Sequence, residues 1–287
     1  MSQATQGAGR ARWFGRTWLI AVFVFLYVPI ITLVVYSFND SRLSTVWAGF
    51  TFKWYVDALH DRELINGLIL SLKIAFMSAT LSVIFGSFTA FALVRYGRFK
   101  GRGLMHSLVN APLVMPDVII GISLLLIVVA VQRMLGTPIR GMGTILLGHA
   151  LIGTAFATVV ITARLREIDH RLEEAAMDLG CKPFQVFVLV TLPLMASALL
   201  SAFLLTFTLS FDDVVVAAFL SGPGSTTLPL VIFSRARLGL DPSINAVATL
   251  IIVVVSIGVV LFSLHQLRAE RRRERALNSI QAQQKPH

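Results

Sequence analysis

A single cysteine, Cys181, stands in 287 residues. That excludes an intramolecular disulfide and a multi-cysteine metal site. Charge is scarce as well: Asp, Glu, Lys and Arg make up 14% of the chain, against about 25% in an ordinary soluble domain. Acids are the scarcer sign, 15 against 25 basic residues. There is no Gly-x-x-x-x-Gly-Lys-Ser/Thr loop, so the usual nucleotide cradle is missing. His-Glu-x-x-His, Gly-x-Ser-x-Gly and any clustered His/Cys set are missing too, which leaves no visible catalytic constellation. Alternating apolar strands of about ten residues, the mark of a membrane barrel, do not occur.

What is present is apolar sequence in long runs. Mean hydropathy is +0.77, and several runs exceed the ~20 residues that cross a bilayer as a helix. The pattern predicts an all-α integral membrane protein with six transmembrane helices, at about 18–38, 68–94, 104–131, 144–163, 194–220 and 244–264. The first run is too long for a signal peptide, holds Pro29 and has no small-x-small cleavage site before Asn39. Pro112 and Pro116 bend or interrupt the third span. Between the first two spans, Trp47, Trp54 and Tyr55 suit a membrane interface, where a short helix fits. Residues 231–240 are too short to span and read as an outer-face re-entrant or interfacial element. The division is a tail over 1–16, a membrane domain over 17–267 and a basic tail over 268–287.

Basic residues set the orientation. Arg10, Arg12 and Arg16 precede the first span. Arg95, Arg98, Lys100 and Arg102 follow the second, and Arg164, Arg166, Arg171 and Lys182 follow the fourth. Arg268, Arg271, Arg272, Arg273, Arg275 and Lys285 end the chain. These are 17 of the 25, so both termini are expected in the cytosol. The same clustering accounts for the net charge without nucleic acid as a partner. Cys181 falls in a cytosolic loop and reads as a small filler.

Ionisable groups inside spans are costly and usually face a cavity or a partner. Asp117 lies in the third span, Asp212 and Asp213 in the fifth, Lys73 in the second and His149 in the fourth. At ~1.5 Å per residue, all five fall in the outer half of the bilayer, as one cavity lining would. Each has a plainer alternative. Lys73 snorkels to the interface or pairs with the acids. His149 is a hydrogen-bonding packing residue. Asp117 caps a helix restarted after Pro116. On a helix Asp212 and Asp213 diverge by about 100°, so at least one meets a cavity or a partner subunit. A negatively charged cavity favours a cationic substrate. Phe207, Phe211 and Phe219 flank the acids at helical steps, as packing or as a cation-binding wall.

The most specific stretch is Glu174-Ala-Ala-Met-Asp-Leu-Gly180, then nine residues, then Val190-Thr-Leu-Pro193. Leu165, Ile168, Leu172, Ala175, Ala176 and Leu179 form an apolar stripe at steps of three and four. Asp169 can cap the helix, with Glu173 and Glu174 near its positive end. Gly180 suits a left-handed stop, Pro183 starts the next helix, and Pro193 marks a second boundary. By itself this is an amphipathic helix-turn-helix on a loop.

The string resembles the EAA loop of permease subunits in binding-protein-dependent ABC importers, E-A-A-x-x-x-G, nine residues, I-x-L-P, with Val190 for Ile. Further strings are similar to bacterial polyamine importer permeases: Phe38-Asn-Asp-Ser-Arg42, Ala111-Pro-Leu-Val-Met-Pro-Asp117, Leu165-Arg-Glu-Ile-Asp169, Leu209-Ser-Phe-Asp-Asp213 and Ser221-Gly-Pro-Gly-Ser-Thr-Thr-Leu-Pro229. The likeness covers roughly 18–267. It implies a type I ABC importer permease fold in the bacterial inner membrane. It also implies a second permease subunit as partner, a dimer of ATPase subunits that bind ATP and Mg, and a periplasmic polyamine-binding protein. No cofactor is expected in this chain. The loop, 164–193, would couple to the ATPase through Glu174, Ala175, Ala176, Gly180, Leu192 and Pro193. Asp117, Asp212, Asp213 and Phe211 would border the substrate path. The alternatives are an importer of another cationic or small solute, an integral-membrane enzyme, and a stand-alone channel or secondary transporter.

Overall fold

The computed structural model describes residues 3–41, 46–97, 99–238, 242–258, 260 and 264. The chain divides into two units, residues 1–61 with 235–287, and residues 62–234. Among the described residues, helix dominates, and the β pairing is a single antiparallel bridge between Asn39 and Phe50. Five helices are long and apolar enough to cross a membrane, and Pro242–Gly258 is a shorter apolar one. The basic tail expected over 268–287 and the end of the expected sixth span lie outside the described residues.

In the first unit, α1 (Gln3–Tyr36) carries a candidate span, Gly15–Tyr36. Its apolar side chains from Trp18 to Ile31 are exposed, the surface of a helix made to face lipid or another chain. A loop then folds around Asn39. Its Nδ2 donates to the Val46 carbonyl (2.8 Å) and its Oδ1 accepts from the Ala48 amide (2.9 Å). The Asn39 carbonyl accepts from the Trp54 indole at 2.7 Å. The short helix expected here exists as α2 (Lys53–His60), but Trp54 is buried under the loop and is not an interface residue. Asp61 pairs with Arg235 at 2.6 Å.

The second unit is built on three packed helices, α3 (Arg62–Arg95), α6 (Met142–Glu167) and α9 (Leu192–Phe211). In lipid, helices approach closely only where small residues meet. A Cβ on Gly86 would sit 2.8 Å from the Ala157 Cβ, and one on Gly153 would run into the Ser82 hydroxyl. Two buried clusters pack around these helices, the first between the three of them and the second between α3, α6 and residues 215–220. One gathers Ala90, Ala157, Ile161, Leu165, Met195 and Ala202. The other gathers Ile74, Ile145, Val216, Ala217 and Leu220.

Two expected spans are broken. The third is α4 (Arg102–Val114) and α5 (Asp117–Leu135), separated at Met115 and Pro116. Pro116 has no N–H for the helix ladder and pushes Met115 into extended backbone; Met115 has φ −77° and ψ 135°. The fifth begins earlier than expected, with α8 (Pro183–Val186), one π-helical turn (Phe187–Thr191) and α9. It stops at Phe211, and α10 (Val215–Leu220) follows a break. Pro193 marks the boundary expected of it, in the first turn of α9 where the π turn gives way to α-helix, and the span runs through it unbroken. The π turn ahead of it, closed by Leu192 N–H to the Phe187 carbonyl, shifts the ladder past the proline's missing donor. Residues 228–238 form α11 (Leu228–Leu238), the short element expected there.

Candidate functional site

The break after α9 assembles the first site. Asp212 and Asp213 do not sit on a helix face, so the divergence expected of them does not apply. Asp213 turns back over α10: its Oδ2 accepts from the Ala217 amide (2.8 Å) and its Oδ1 from the Val216 amide (3.3 Å). The same Oδ2 meets His149 Nε2 at 3.1 Å. His149, only 6% exposed on α6, places Nδ1 2.7 Å from the Ser210 hydroxyl. Ser210 in turn lies 2.9 Å from the Ser78 hydroxyl on α3. A neutral imidazole with its proton on Nε2 satisfies this chain: Ser78 donates to Ser210, Ser210 to Nδ1, and Nε2–H to Asp213.

This polar chain borders a cavity of about 130 Å³. Asp117, at the start of α5, stands on its lining with His149, Phe156, Thr206, Ser210 and Asp213. Asp117 is exposed, and its side chain caps nothing. The lining thus holds two carboxylates and no Lys or Arg. One carboxylate is committed to fixed donors and the other is open. Of the five expected ionisable groups the cavity gathers three, Asp117, His149 and Asp213. Asp212 is exposed and outside the lining. Lys73 lines a different cavity of about 400 Å³ with Glu63 and Asn66, and the partner of Asp213 is the His149 hydrogen bond, not the Lys73 salt bridge considered for it. Phe211 stacks on Phe207 (centroids 6.0 Å apart, planes at 6°) and does not line the cavity. Phe219 packs 2.5 Å from where a Cβ on Gly121 would stand, so it is core between α5 and α10.

No catalytic constellation was visible in the sequence, yet Ser210, His149 and Asp213 meet in space. Their polarity is reversed from a hydrolase triad, in which the carboxylate holds Nδ1 and the serine holds Nε2. The arrangement fixes Asp213 rather than activating Ser210.

The second site is the EAA segment. Helix α7 (Arg171–Asp178) begins where the Asp169 carboxylate accepts from the Arg171 amide (3.0 Å), with Glu173 and Glu174 in its first turn. It ends in a left-handed Gly180, φ +89°. Cys181 N–H bonds the Ala176 carbonyl (3.1 Å) and Gly180 N–H the Met177 carbonyl (2.9 Å), the paired closure of a Schellman motif. Pro183 opens α8, and Gln185 Oε1 accepts from the Lys182 amide at 2.8 Å. The expected single apolar stripe does not form, because Leu165 and Ile168 belong to the end of α6 and are buried there. On the segment itself Leu172 is 50% exposed, Phe184 76% and Leu179 87%. Glu174 is exposed, as are Ala175, Gly180, Leu192 and Pro193, and Ala176 is half-buried. The buried residue of α7 is Glu173, expected only to sit near the helix's positive end; its Oε1 meets Arg95 Nη2 (3.0 Å) and the Thr191 hydroxyl (2.9 Å).

Known proteins match over nearly the whole chain. The putrescine transport system permease protein PotI of Escherichia coli (strain K12) is 51% identical over 259 residues, 90% of this chain and 92% of that protein. The spermidine/putrescine transport system permease protein PotC of the same strain is 38% identical over 242 residues, 84% and 89% of the two chains. Among solved structures, a chain of a bacterial ABC transporter involved in the import of the acidic polysaccharide alginate superposes with a TM-score of 0.71. Its sequence identity is 17%, covering 93% of this chain and 99% of that one; the likeness is one of fold. The sequence model described as binding-protein-dependent transport system inner membrane component matches residues 82–274, more than half of the chain. This chain belongs to the binding-protein-dependent transport system inner membrane component family.

Proposed function

We propose that the chain is the permease subunit of an ATP-driven importer that carries polyamines, putrescine foremost, across the bacterial inner membrane. It works by alternating access beside a second permease subunit. A pair of separate ATPase subunits, which bind ATP and Mg, drives it through the exposed EAA segment, and a periplasmic binding protein delivers the cargo. Both termini then face the cytosol. The names of the relatives support the substrate class. The single observation that carries it is the cavity between α5, α6, α9 and the break, with two carboxylates and no cation on its wall.

An alkylammonium leaving water needs an opposite charge when it enters a low-dielectric passage. Asp117, exposed and uncommitted, is the group free to meet it. Asp213, held by two amides and His149, keeps a fixed negative charge behind it. An ion pair at about 4 Å is worth up to ~4 kcal/mol at an effective dielectric of ~20, and every ~1.4 kcal/mol is tenfold in affinity. The test is uptake of labelled putrescine into proteoliposomes that hold the whole transporter, with and without this subunit and with spermidine as competitor. Uptake that does not need this subunit, or that labelled anions share equally, would overturn the reading.

A further inference from the structure

Of the eight residues of α7, Glu173 is the buried one. Its carboxylate joins elements that are distant in sequence. Oε1 accepts from Arg95 Nη2, at the last residue of α3, and from the Thr191 hydroxyl in the π turn that leads into α9. Arg95 Nη2 also reaches the carbonyl of Ile168, the residue that closes α6, at 3.4 Å. Arg95 Nε is buried too and has no acceptor. The other large residues of the segment, Leu172, Met177 and Leu179, are exposed and contribute little packing within this chain.

We propose that Glu173 is the positioning residue through which α7 drags α3 and α9. The inference rests on the reading above that α7 receives the motion of an ATPase. A short helix tethered only by its two chain ends can tilt or slide without moving its neighbours. A buried charge-assisted bond fixes both distance and direction. Removing one partner leaves the other charge buried and uncompensated. Of the helices so tied, α9 carries Thr206 and Ser210 on the cavity wall, and α3 carries Ser78, which donates to Ser210 from behind it. Displacement of α7 therefore reaches the cavity wall along two rigid rods.

The test uses the complete transporter in proteoliposomes. Glu173→Gln keeps the size of the side chain and an acceptor for Thr191 but removes the charge opposite Arg95. Thr191→Val cuts the second tie and leaves the ion pair. The expected result for Glu173→Gln is ATP hydrolysis within about twofold of wild type and putrescine carried per ATP lower on the order of tenfold. Thr191→Val should show a smaller loss of the same kind. A nitroxide on Cys181, the chain's one cysteine, gives a reading that needs no cargo when the partner subunits are cysteine-free. Its spectrum should sharpen in Glu173→Gln as α7 loosens. Uptake and hydrolysis that fall together with the amount of assembled complex would overturn the proposal, as would an unchanged ratio or an unchanged spectrum. Should the wild-type complex hydrolyse ATP and accumulate no polyamine, the substrate reading fails while the label still decides the role of Glu173. Should Glu173→Gln not assemble, Thr191→Val decides it.

Discussion

In the cavity, the decisive bonds join residues far apart in the chain. His149 meets Ser210 and Asp213 across 61 and 64 residues, and Ser78 meets Ser210 across 132. In the coupling segment nearly every bond is local: Asp169 to Arg171, Gln185 to Lys182, and the closure around Gly180. The exceptions there are Glu173, which reaches Arg95 across 78 residues, the Ile168 carbonyl, which accepts from the same Arg95, and Arg164, which reaches the Leu194 carbonyl. The cavity holds its shape because three helices are packed around it. The segment holds its shape by capping and turn chemistry and leaves its apolar side chains exposed. One is a property of the assembled helices, the other of a short string.

That contrast can be broken at its packing end first. Gly153→Leu forces a side chain into Ser82 on α3; overpacking of this kind costs about 1–3 kcal/mol or more. The detergent-solubilised protein should lose its cooperative melt or its yield, and an unchanged melting temperature would show that α3 and α6 are not held this closely. Next in size, Asp117→Asn should lower putrescine uptake at least tenfold with ATP hydrolysis and assembly preserved, since it removes the uncommitted charge of the cavity. Equal loss of uptake and complex would instead make Asp117 structural.

A third substitution separates fixing from binding. His149→Ala removes one buried partner from each of Asp213 and Ser210, which keep the α10 amides and Ser78, at a cost of about 0.5–1.5 kcal/mol per lost bond. It should lower thermal stability measurably in the absence of any cargo. A stability equal to wild type would show that Asp213 is held by the α10 amides alone. At the segment, Gly180→Val places a β-branched residue at φ +89°, a conformation costing roughly 1–2 kcal/mol. The melt should barely move, because α7 is not part of the helical core, while binding of the ATPase in pull-down should weaken. Smallest of all, Asp212→Asn should change uptake less than about twofold, because Asp212 lies outside the cavity lining; the ordinary scatter of solvent-exposed substitutions is of that size. A loss as large as that of Asp117→Asn would move the path to the other side of the break.

What was legible in the residues follows the same division. The Gly180 stop, the Pro183 start and the Asp169 cap formed as their side chains dictate, because each bond closes within five residues. Span positions were legible to within a few residues wherever apolar length alone decides them. The breaks at Met115–Pro116 and after Phe211 were less so. A proline can kink a helix or end it, and only the neighbouring helices settle which. The two acids of the fifth run gave no local sign that Asp213 would fold back on α10. His149 looked like a packing residue from its own surroundings. It became the centre of the cavity wall only because α3 and α9 bring Ser78 and Ser210 to it. Glu173 was hidden beside a more conspicuous neighbour, Glu174; one residue's step around a helix separates a buried carboxylate from an exposed one.

The residues by themselves determined that this is a helical membrane protein of the importer permease kind. Apolar length, basic clusters and a short capped string act through hydropathy and local hydrogen bonds, which need no tertiary context. The tertiary structure alone decided which acid faces the cavity, which histidine holds it and which glutamate ties the coupling helix to the core. Those choices depend on where helices end and on which distant side chains meet in a low-dielectric interior, where a polar group without a partner is too costly to leave in place.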